Sequence, residues 1–579
     1  MTGSVLRRSV DVNILLAGQA GQGIQTLETI LTRVLNASGY HVHSTREIMS
    51  RIRGGQNSTT IRVSSKPVRA ALRRADLLVP LHPGSLNHVK DRMDDETLVM
   101  GDAEVLFPDG NVQVPTFVDI PFKRLAGEMG NPLFANVMVA GAVASFLGVE
   151  EDILGRFLES RFSSKGKDIT EGNVKAALRG MALGREQMDR GRLVLDIPRD
   201  DSTARDIMMT GTESVALGAM AGGCNFLASY PMSPATGVMS FLARNGGDLG
   251  MVVEQTEDEV AALNMVLGAW YAGARGLVTT SGGGFALMEE AMSLSGVMEM
   301  PAVIHLSQRP GPGTGLPTRT EQGDLELVLH SGHGTFPRFI FAPGTMEEAF
   351  ELTIRAFDMA DRFQVPAVIL TDQYFVDMQC NLKKLGDVPS VVDRHFIKAG
   401  DGYRRYEITP DGVSPRGVPG YGGQPIVADS HEHDQDGHIN EDLDLRVRMV
   451  DKRLAKERSM IESSSQPELT GPDDHSVLVI SWGSTGPVVA EALGLLDRDD
   501  TAHMHFTQLW PLPSGLDGTL GKADRVIVVE GNPTGQFADL LQNTTGVPIP
   551  HRLLKYTGIQ FYVEEVLEGV NGLLSEGGQ

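Results

Sequence analysis

The sequence predicts an α/β protein with several domains, each built around a parallel β-sheet. Apolar runs that suit buried strands are followed by glycine-rich turns and then by helical periodicity, as in residues 12–38 and 276–295. Near the end of the chain, strands around Val477–Ser481, His503–Thr507 and Arg525–Glu530 alternate with a helix over Pro487–Leu496. Such alternation is typical of parallel sheets. A length of 579 residues favours roughly three or four domains.

The composition excludes several classes of protein. A net charge of −23 argues against nucleic-acid binding, which needs basic patches to neutralise phosphates. The longest apolar run, Leu133–Val149, is short and interrupted by polar residues, so it predicts a buried core helix and no membrane span. The first residues do not form a signal peptide, which predicts a cytoplasmic protein. Two cysteines cannot supply the four thiolates that an iron-sulfur cluster usually requires.

The first motif follows a short strand near the start. Residues 11–24 read DVNILLAGQAGQGI, and a helix is predicted from there to about Ser38. The glycines approximate a dinucleotide fingerprint, but their spacing is imperfect and no clear acidic residue ends the second strand. Binding of NAD is therefore not expected, and a tight turn without a ligand stays open. A basic patch follows, formed by Arg46, Arg51 and Arg53.

The next stretch, Arg185–Thr210, is dense in charge and weak in apolar periodicity, which predicts an interdomain linker. A strand over Cys224–Ser229 then breaks at the sequence Tyr230-Pro231-Met232-Ser233-Pro234. Two prolines three residues apart make a rigid elbow at the carboxyl end of this strand. In α/β sheets ligands bind at such ends.

A second motif combines a carboxylate with a glycine run. Glu259 opens a helix with apolar helical spacing, and its macrodipole offers one explanation for an acidic residue there. A buried strand over Gly276–Thr280 leads into Ser281-Gly282-Gly283-Gly284, where the backbone can approach a ligand before a helix over Phe285–Ser295. After a strand over Ala302–Leu306 comes QRPGPGTGLPTRTEQGDL, residues 308–325.

These motifs, in this order, resemble the alpha subunits of 2-oxoacid:ferredoxin oxidoreductases, in the branch that acts on 2-oxoglutarate or related acids. The resemblance implies four regions: a gamma-type domain over 1–195, a thiamine diphosphate pyrimidine-binding domain over 205–380, an irregular linker segment over 381–470, and a transketolase C-terminal-like domain over 471–579. The gamma-type domain is thus fused ahead of the alpha portion.

The resemblance also implies roles for individual residues. Glu259 matches the glutamate that hydrogen-bonds the aminopyrimidine of the cofactor, and Arg309 matches the arginine that binds the substrate carboxylate. Ser233 stands where the family usually has threonine, and Arg319 is a second candidate for the substrate. The cofactor is assigned to Tyr230, Pro231, Glu259, Ser281 and Gly282, and coenzyme A to Gly21, Arg46, Arg51 and Arg53. A solvated basic face remains an alternative for the arginines.

Half of the cofactor site is expected on another chain. Gly400-Asp401-Gly402 lacks the paired asparagines of a magnesium-diphosphate motif, so it is predicted to be a loop. The resemblance implies a beta subunit that carries the diphosphate domain and the iron-sulfur cluster, an (alpha-beta)2 assembly, and ferredoxin as acceptor. His431, His433 and His438 suit a metal tract or a surface loop, and we expect the loop. Pyruvate or a branched-chain acid as substrate, a scaffold subunit and an NAD-dependent dehydrogenase stay open as alternatives.

Overall fold

The computed structural model describes residues 6–50, 54–112, 114 and 116–575. It is an α/β protein with several sheets that contain parallel strands, which confirms the predicted fold class. The chain forms two compact units. The first comprises residues 1–210 with 377–384 and 562–564, and the second comprises 211–376, 385–561 and 565–579. Among the described residues, no helix has the length and apolar character needed to cross a membrane.

The strands of the described residues are, in chain order, β1 (Leu6–Arg8), β2 (Asp11–Gln19), β3 (His41–Glu47), β4 (Gln56–Ser64), β5 (Leu77–Pro80), β6 (Leu98–Gly101), β7 (Thr116–Asp119), β8 (Leu193–Leu195), β9 (Ile207–Thr210), β10 (Phe226–Ser229), β11 (Val252–Gln255), β12 (Gly276–Thr280), β13 (Ala302–Gln308), β14 (Phe339–Phe341), β15 (Pro366–Asp372), β16 (Gln379–Leu382), β17 (Ile397–Ala399), β18 (Gly417–Gly422), β19 (Glu468–Thr470), β20 (Val477–Trp482), β21 (Thr501–Phe506), β22 (Gln508–Trp510), β23 (Arg525–Glu530) and β24 (His551–Leu554).

The α-helices of the same residues are α1 (Ile24–Ala37), α2 (Pro83–His88), α3 (Ala103–Leu106), α4 (Phe122–Glu128), α5 (Phe134–Phe146), α6 (Glu151–Phe162), α7 (Lys167–Asp189), α8 (Gly211–Ala221), α9 (Thr236–Asn245), α10 (Glu259–Tyr271), α11 (Gly282–Phe285), α12 (Glu289–Met298), α13 (Leu325–His330), α14 (Met346–Phe363), α15 (Gln373–Asp377), α16 (Leu443–Glu462), α17 (Thr485–Gly494), α18 (Leu516–Leu520), α19 (Gln536–Thr545) and α20 (Val563–Ser575).

The first unit is built on a mixed sheet with the strand order β7-β6-β5-β2-β4-β3-β16-β9. Helix α5 lies in its core, as the apolar run predicts, and ten of its residues are buried. Gly141 and Gly180 let α5 and α7 approach closely, because a Cβ on either glycine would fall within about 2 Å of the other helix's backbone. The sheet and these helices thus form one continuous core.

The prediction of an interdomain linker over Arg185–Thr210 is wrong at both ends of that range. Helix α7 continues to Asp189, β8 pairs with β1, and β9 pairs with β16. Strand β16 itself was not predicted, and it returns from the centre of the chain to this sheet. The sequence did not indicate these elements because most of their residues are polar and face outward. Only a few apolar residues, such as Leu193 and Met208, are buried.

The second unit contains a sheet with the order β11-β10-β12-β13-β15-β14-β22, in which only β22 is antiparallel to its neighbour. Because β10, β12 and β13 are parallel, the loops that follow them leave from the same edge. A separate five-stranded sheet has the order β19-β21-β20-β23-β24, with β20, β21, β23 and β24 parallel. Its strands confirm the three predicted near the end of the chain.

Residues 385–470 hold more order than their polar composition suggests. Strands β17 and β18 pair in parallel, and α16 confirms the helix predicted from Leu443. Two lysines of α16, Lys452 and Lys456, are buried against Glu299, at 2.5 and 2.7 Å. Burial alone would raise the pKa of Glu299, but the two lysines outweigh it and hold the pKa well below its usual range. This ionic cluster fixes α16 to the end of α12.

Candidate functional site

The candidate site lies at the carboxyl edge of the large sheet in the second unit. Strand β10 leads into the elbow at Tyr230, β12 leads into Ser281, and β13 leads into Arg309. All three strands run parallel, so these residues lie at one edge, as the sequence predicts. Tyr230 and Ser233 are exposed there, and Pro231 is half-buried.

Glu259 is the first residue of α10, as predicted. It does not cap the helix, because the side chain of Asp258 accepts the hydrogen bond from the Ala261 amide at 2.7 Å. The side chain of Glu259 is instead buried, with 3% of its surface exposed. Its Oε1 is closed off from solvent, and none of the described residues hydrogen-bonds it. Helix capping therefore does not explain this carboxylate.

The glycine run is folded against Glu259. A Cβ on Gly284 would lie 2.5 Å from Glu259 Oε1 and 2.2 Å from Thr280 Oγ1, so only glycine fits there. The helix begins at Gly282, three residues before the predicted Phe285, and after a 3₁₀ turn at Ala286–Met288 it continues as α12. The predicted start was wrong because these small residues coil beneath the carboxylate instead of forming an extended loop.

Two predicted substrate residues are in direct contact. Arg309 Nη1 donates a hydrogen bond to the carbonyl oxygen of Ser233 at 2.7 Å. Burial lowers the pKa of Arg309, and the charge of Asp324 opposes this change. Arg319 lies farther along the same loop, where its side chain packs against Gly558 and the neighbouring Thr320 amide donates to the Gly558 carbonyl at 3.1 Å.

Asp324 is a residue at this edge that the sequence did not single out. Its carboxylate occupies the space beside Gly282, since a Cβ on that glycine would lie 2.4 Å from each of its oxygens. Burial raises the pKa of Asp324 to about 7; repulsion from Glu321 adds to the rise, and the charge of Arg309 opposes it. The sequence signal that could have pointed to Asp324 is its place just before a helix, in QGDL. An acidic residue at that place is equally typical of a helix cap.

Ser281 completes the polar side of the glycine turn. Its hydroxyl is buried, and the described residues offer it no hydrogen-bond partner. Buried polar atoms without partners are uncommon in folded proteins, and they mark places where a ligand or water completes the bonding. Three such atoms, Glu259 Oε1, Ser281 Oγ and Asp324 Oδ2, border the same glycine run. This arrangement fits a polar heterocycle with hydrogen-bonding edges.

In the first unit, Gly21 and Arg46 lie at the carboxyl ends of β2 and β3, two strands apart in one sheet. Gly21 has a positive φ of 90° and borders a cavity of about 720 Å³, whose rim includes Lys123 and Lys165. Arg46 instead forms an ion pair with the fully buried Glu28 at 2.5 Å. Arg51 and Arg53 lie outside the described residues.

The His-containing loop is divided between surface and core. His433 is buried against Tyr406, with ring centroids 3.9 Å apart, while His431 and His438 are exposed beside Asp429 and Asp434. Across the described parts of the chain, no group of three His, Cys, Asp or Glu residues could hold a metal ion. Asp401 of the Gly-Asp-Gly loop is also exposed, and its side chain accepts a hydrogen bond from Gln424.

Two family models match this chain. Residues 13–183 match "Pyruvate ferredoxin/flavodoxin oxidoreductase", and residues 217–452 match "Pyruvate flavodoxin/ferredoxin oxidoreductase, thiamine diP-bdg".

Among individual relatives, the alpha subunit of 2-oxoacid:ferredoxin oxidoreductase 2 from Aeropyrum pernix is 30% identical over 98% of both chains. The KorA subunit of a 2-oxoglutarate oxidoreductase from Mycobacterium tuberculosis is 26% identical, over 97% of this chain and 91% of its own. Among solved structures, the 2-oxoglutarate:ferredoxin oxidoreductase from Magnetococcus marinus, with 2-oxoglutarate, coenzyme A and succinyl-CoA bound, matches with a TM-score of 0.91 and 28% identity. The match covers 98% of this chain and 100% of the other.

Proposed function

Because this chain belongs to the family of 2-oxoacid:ferredoxin oxidoreductase alpha subunits, we propose that it helps a beta subunit to decarboxylate 2-oxoglutarate oxidatively in the cytoplasm, forming succinyl-CoA and reducing ferredoxin. The observation that carries the proposal is the buried carboxylate of Glu259, whose Oε1 has no described partner beside the glycine run. A carboxylate in such a cleft can share its proton with a ring nitrogen.

The proposed cofactor, thiamine diphosphate, supplies when bound the electron sink that amino-acid side chains lack. The residues at the edge fit its aminopyrimidine. Glu259 Oε1 holds and moves the proton, and Ser281 Oγ provides a further hydrogen bond. Gly282, which has no side chain, is proposed to let the backbone approach the ring, and the exposed Tyr230 and half-buried Pro231 are proposed to contact the cofactor from the elbow after β10.

The substrate is proposed to bind through its 1-carboxylate. The planar guanidinium of Arg309 matches a carboxylate with two parallel hydrogen bonds. Its bond to the Ser233 carbonyl fixes the orientation of the fork while leaving other N–H groups for a ligand. The Ser233 hydroxyl retains the donor of the usual threonine, so it is proposed to hydrogen-bond an oxygen of the 2-oxo acid.

The choice of 2-oxoglutarate rests on its presence in the Magnetococcus structure and in the name of the Mycobacterium relative. A dicarboxylate needs a second cationic contact, and Arg319 is proposed to make it. We expect Arg319→Ala to reduce kcat/KM for 2-oxoglutarate roughly 10- to 150-fold more than for pyruvate, as for a lost charge-assisted bond of about 1.5 to 3 kcal/mol. Equal losses would remove Arg319 from the specificity site, and a parent enzyme that prefers pyruvate would overturn the choice of acid.

Coenzyme A is proposed as the acyl acceptor in the first unit. The glycine loop at Gly21 borders a largely apolar cavity with two lysines on its rim, which suits a ligand with an apolar arm and phosphates. Arg51 and Arg53 stay within this proposal. Of the residues proposed to bind coenzyme A, Arg46 has the least support, because Glu28 already neutralises the charge of Arg46.

The remaining groups are assigned to a beta subunit, which would carry the magnesium-diphosphate site and the iron-sulfur cluster in an (alpha-beta)2 assembly. Both cysteines of this chain are buried, and two thiols are fewer than the four that an iron-sulfur cluster usually requires. The test is to purify this chain alone and together with a beta subunit. We expect iron and turnover only in the complex, and a stoichiometric cluster in the single chain would contradict the assignment.

A further inference from the structure

Asp324 and Arg309 are fixed to the same strand end. The Asp324 amide donates a hydrogen bond to Gln308 Oε1 at 3.0 Å, and Gln308 Nε2 donates to the Thr371 carbonyl at 3.1 Å. Gln308 is the last residue of β13 and directly precedes Arg309. The side chain of Gln308 therefore holds the backbone of the carboxylate residue beside the proposed anchor of the substrate.

The carboxyl group of Asp324 is poorly compensated in this position. Its Oδ2 is closed off from solvent, and no described residue hydrogen-bonds it. The glycine run Gly282–Gly284 contributes no charge of its own, and the carboxylate of Glu259 lies against the same run at Gly284. Glu321, from the loop before Asp324, repels its carboxylate, and Arg309 attracts it. A carboxylate whose oxygen is closed off from solvent and which a second anion repels gains much from protonation.

Building on the proposed function, we propose that Asp324 is a positioning residue that competes, as a carboxylate, with the carboxylate of the 2-oxo acid for Arg309 and yields to it as a carboxylic acid. Two anions beside one guanidinium repel each other. The incoming substrate therefore favours the protonated side chain, which takes its proton from solvent. Substrate binding and uptake of a proton by Asp324 are then coupled.

The pKa of Asp324 determines in which direction KM changes with pH. Burial and Glu321 hold the pKa of Asp324 at about 7, so below that pH the side chain is already neutral and the substrate binds without competition. Above it, binding must first protonate Asp324. The KM for 2-oxoglutarate should then rise by up to roughly tenfold per pH unit, while kcat changes less.

The experiment measures KM and kcat for 2-oxoglutarate between pH 6 and pH 9, using the complex of this chain with its beta subunit. We expect the KM of the wild type to rise above pH 7, and Asp324→Asn, which mimics the neutral acid, to keep a low and level KM. If Asp324 had only a structural role, its replacement by Asn would not abolish the dependence of KM on pH. A wild-type KM that stays level, or an Asp324→Asn variant that keeps the rise, would overturn the proposal.

Glu321→Gln provides a second, independent variant. Removing this neighbouring charge lowers the pKa of Asp324, so the rise in KM should begin at lower pH; an unchanged onset would overturn the proposal even if Asp324→Asn failed to assemble. Absence of turnover with any 2-oxo acid in the wild-type complex would instead contradict the proposed function. The two failures are thus distinguished by whether the complex turns over.

Discussion

Arg309 donates a hydrogen bond from Nη1 to the Ser233 carbonyl oxygen at 2.7 Å, joining the end of β13 to the elbow that follows β10. The two residues are 76 positions apart in the sequence. If Arg309 binds the substrate as proposed, this bond orients its guanidinium in advance, so less side-chain entropy is lost on binding.

We expect Arg309→Lys to weaken all 2-oxo acids by a similar factor, because lysine keeps the charge but loses the planar fork. The loss of kcat/KM should be roughly 10- to 150-fold, as for a charge-assisted bond of about 1.5 to 3 kcal/mol. Steady-state kinetics with pyruvate and 2-oxoglutarate measure it. The control is Arg244→Lys on the exposed side of α9, which should change neither acid. A loss confined to one acid would contradict the assignment to the shared 1-carboxylate.

Glu259→Gln keeps the shape of the side chain and removes its proton transfer. General acid-base catalysis is typically worth about 10²- to 10⁴-fold, so kcat should fall within that range while the complex still assembles. Size-exclusion chromatography and turnover assays test both parts. Glu257→Gln, at an exposed position two residues earlier, is the matched control. Unchanged turnover in Glu259→Gln would favour the scaffold alternative.

The glycine run allows a comparison between neighbours. Gly284→Ala would force Thr280 and the Glu259 carboxylate apart, because the added Cβ would lie within 2.5 Å of both. Displacement of a catalytic group by about 1 Å can cost on the order of 10²-fold in rate. In Gly283→Ala the nearest atom is the Gly313 carbonyl oxygen, at an ordinary 3.6 Å, so this variant should stay active. Equal activity of the two variants would show that Glu259 tolerates movement.

Glu299→Gln tests the ionic cluster that fixes α16. Removing one partner of a buried pair costs about 3 to 5 kcal/mol, because Lys452 and Lys456 would remain buried without their counter-charge. The pKa of Glu299 is held below its usual value of 4.5, so its contribution is complete above that pH and is lost as the pH falls. Urea midpoints of the variant should therefore be lower at pH 7 and less sensitive to acid than those of the wild type.

The exposed pair of Arg124 and Glu128 provides the control, since Glu128→Gln should change the free energy of unfolding by less than about 1 kcal/mol. A midpoint for Glu299→Gln equal to that of the wild type would mean that solvent reaches the lysines.

Local sequence signals predicted the regular elements well. Residues 525–530 form a strand with the predicted bounds, and Glu259 opens its helix, because apolar spacing and capping residues are local properties. Contacts between segments that are far apart in the chain could not be predicted from the sequence. Asp324 reaches Gly282 across 42 positions, and Arg46 meets Glu28 only because β3 packs beside α1. Burial and pairing of these charges depend on tertiary structure.

The position of strand β16 limits how the amino-terminal unit can be produced as a separate fragment. In its sheet it lies between β3 and β9, so β9 is joined to the other strands only through a segment encoded about 170 codons later. A fragment that stops at Thr210 would lose this connection and expose two unpaired strand edges, which favour aggregation. The amino-terminal unit therefore cannot be excised with a single cut, and a soluble version would need residues 377–384 grafted back through a linker.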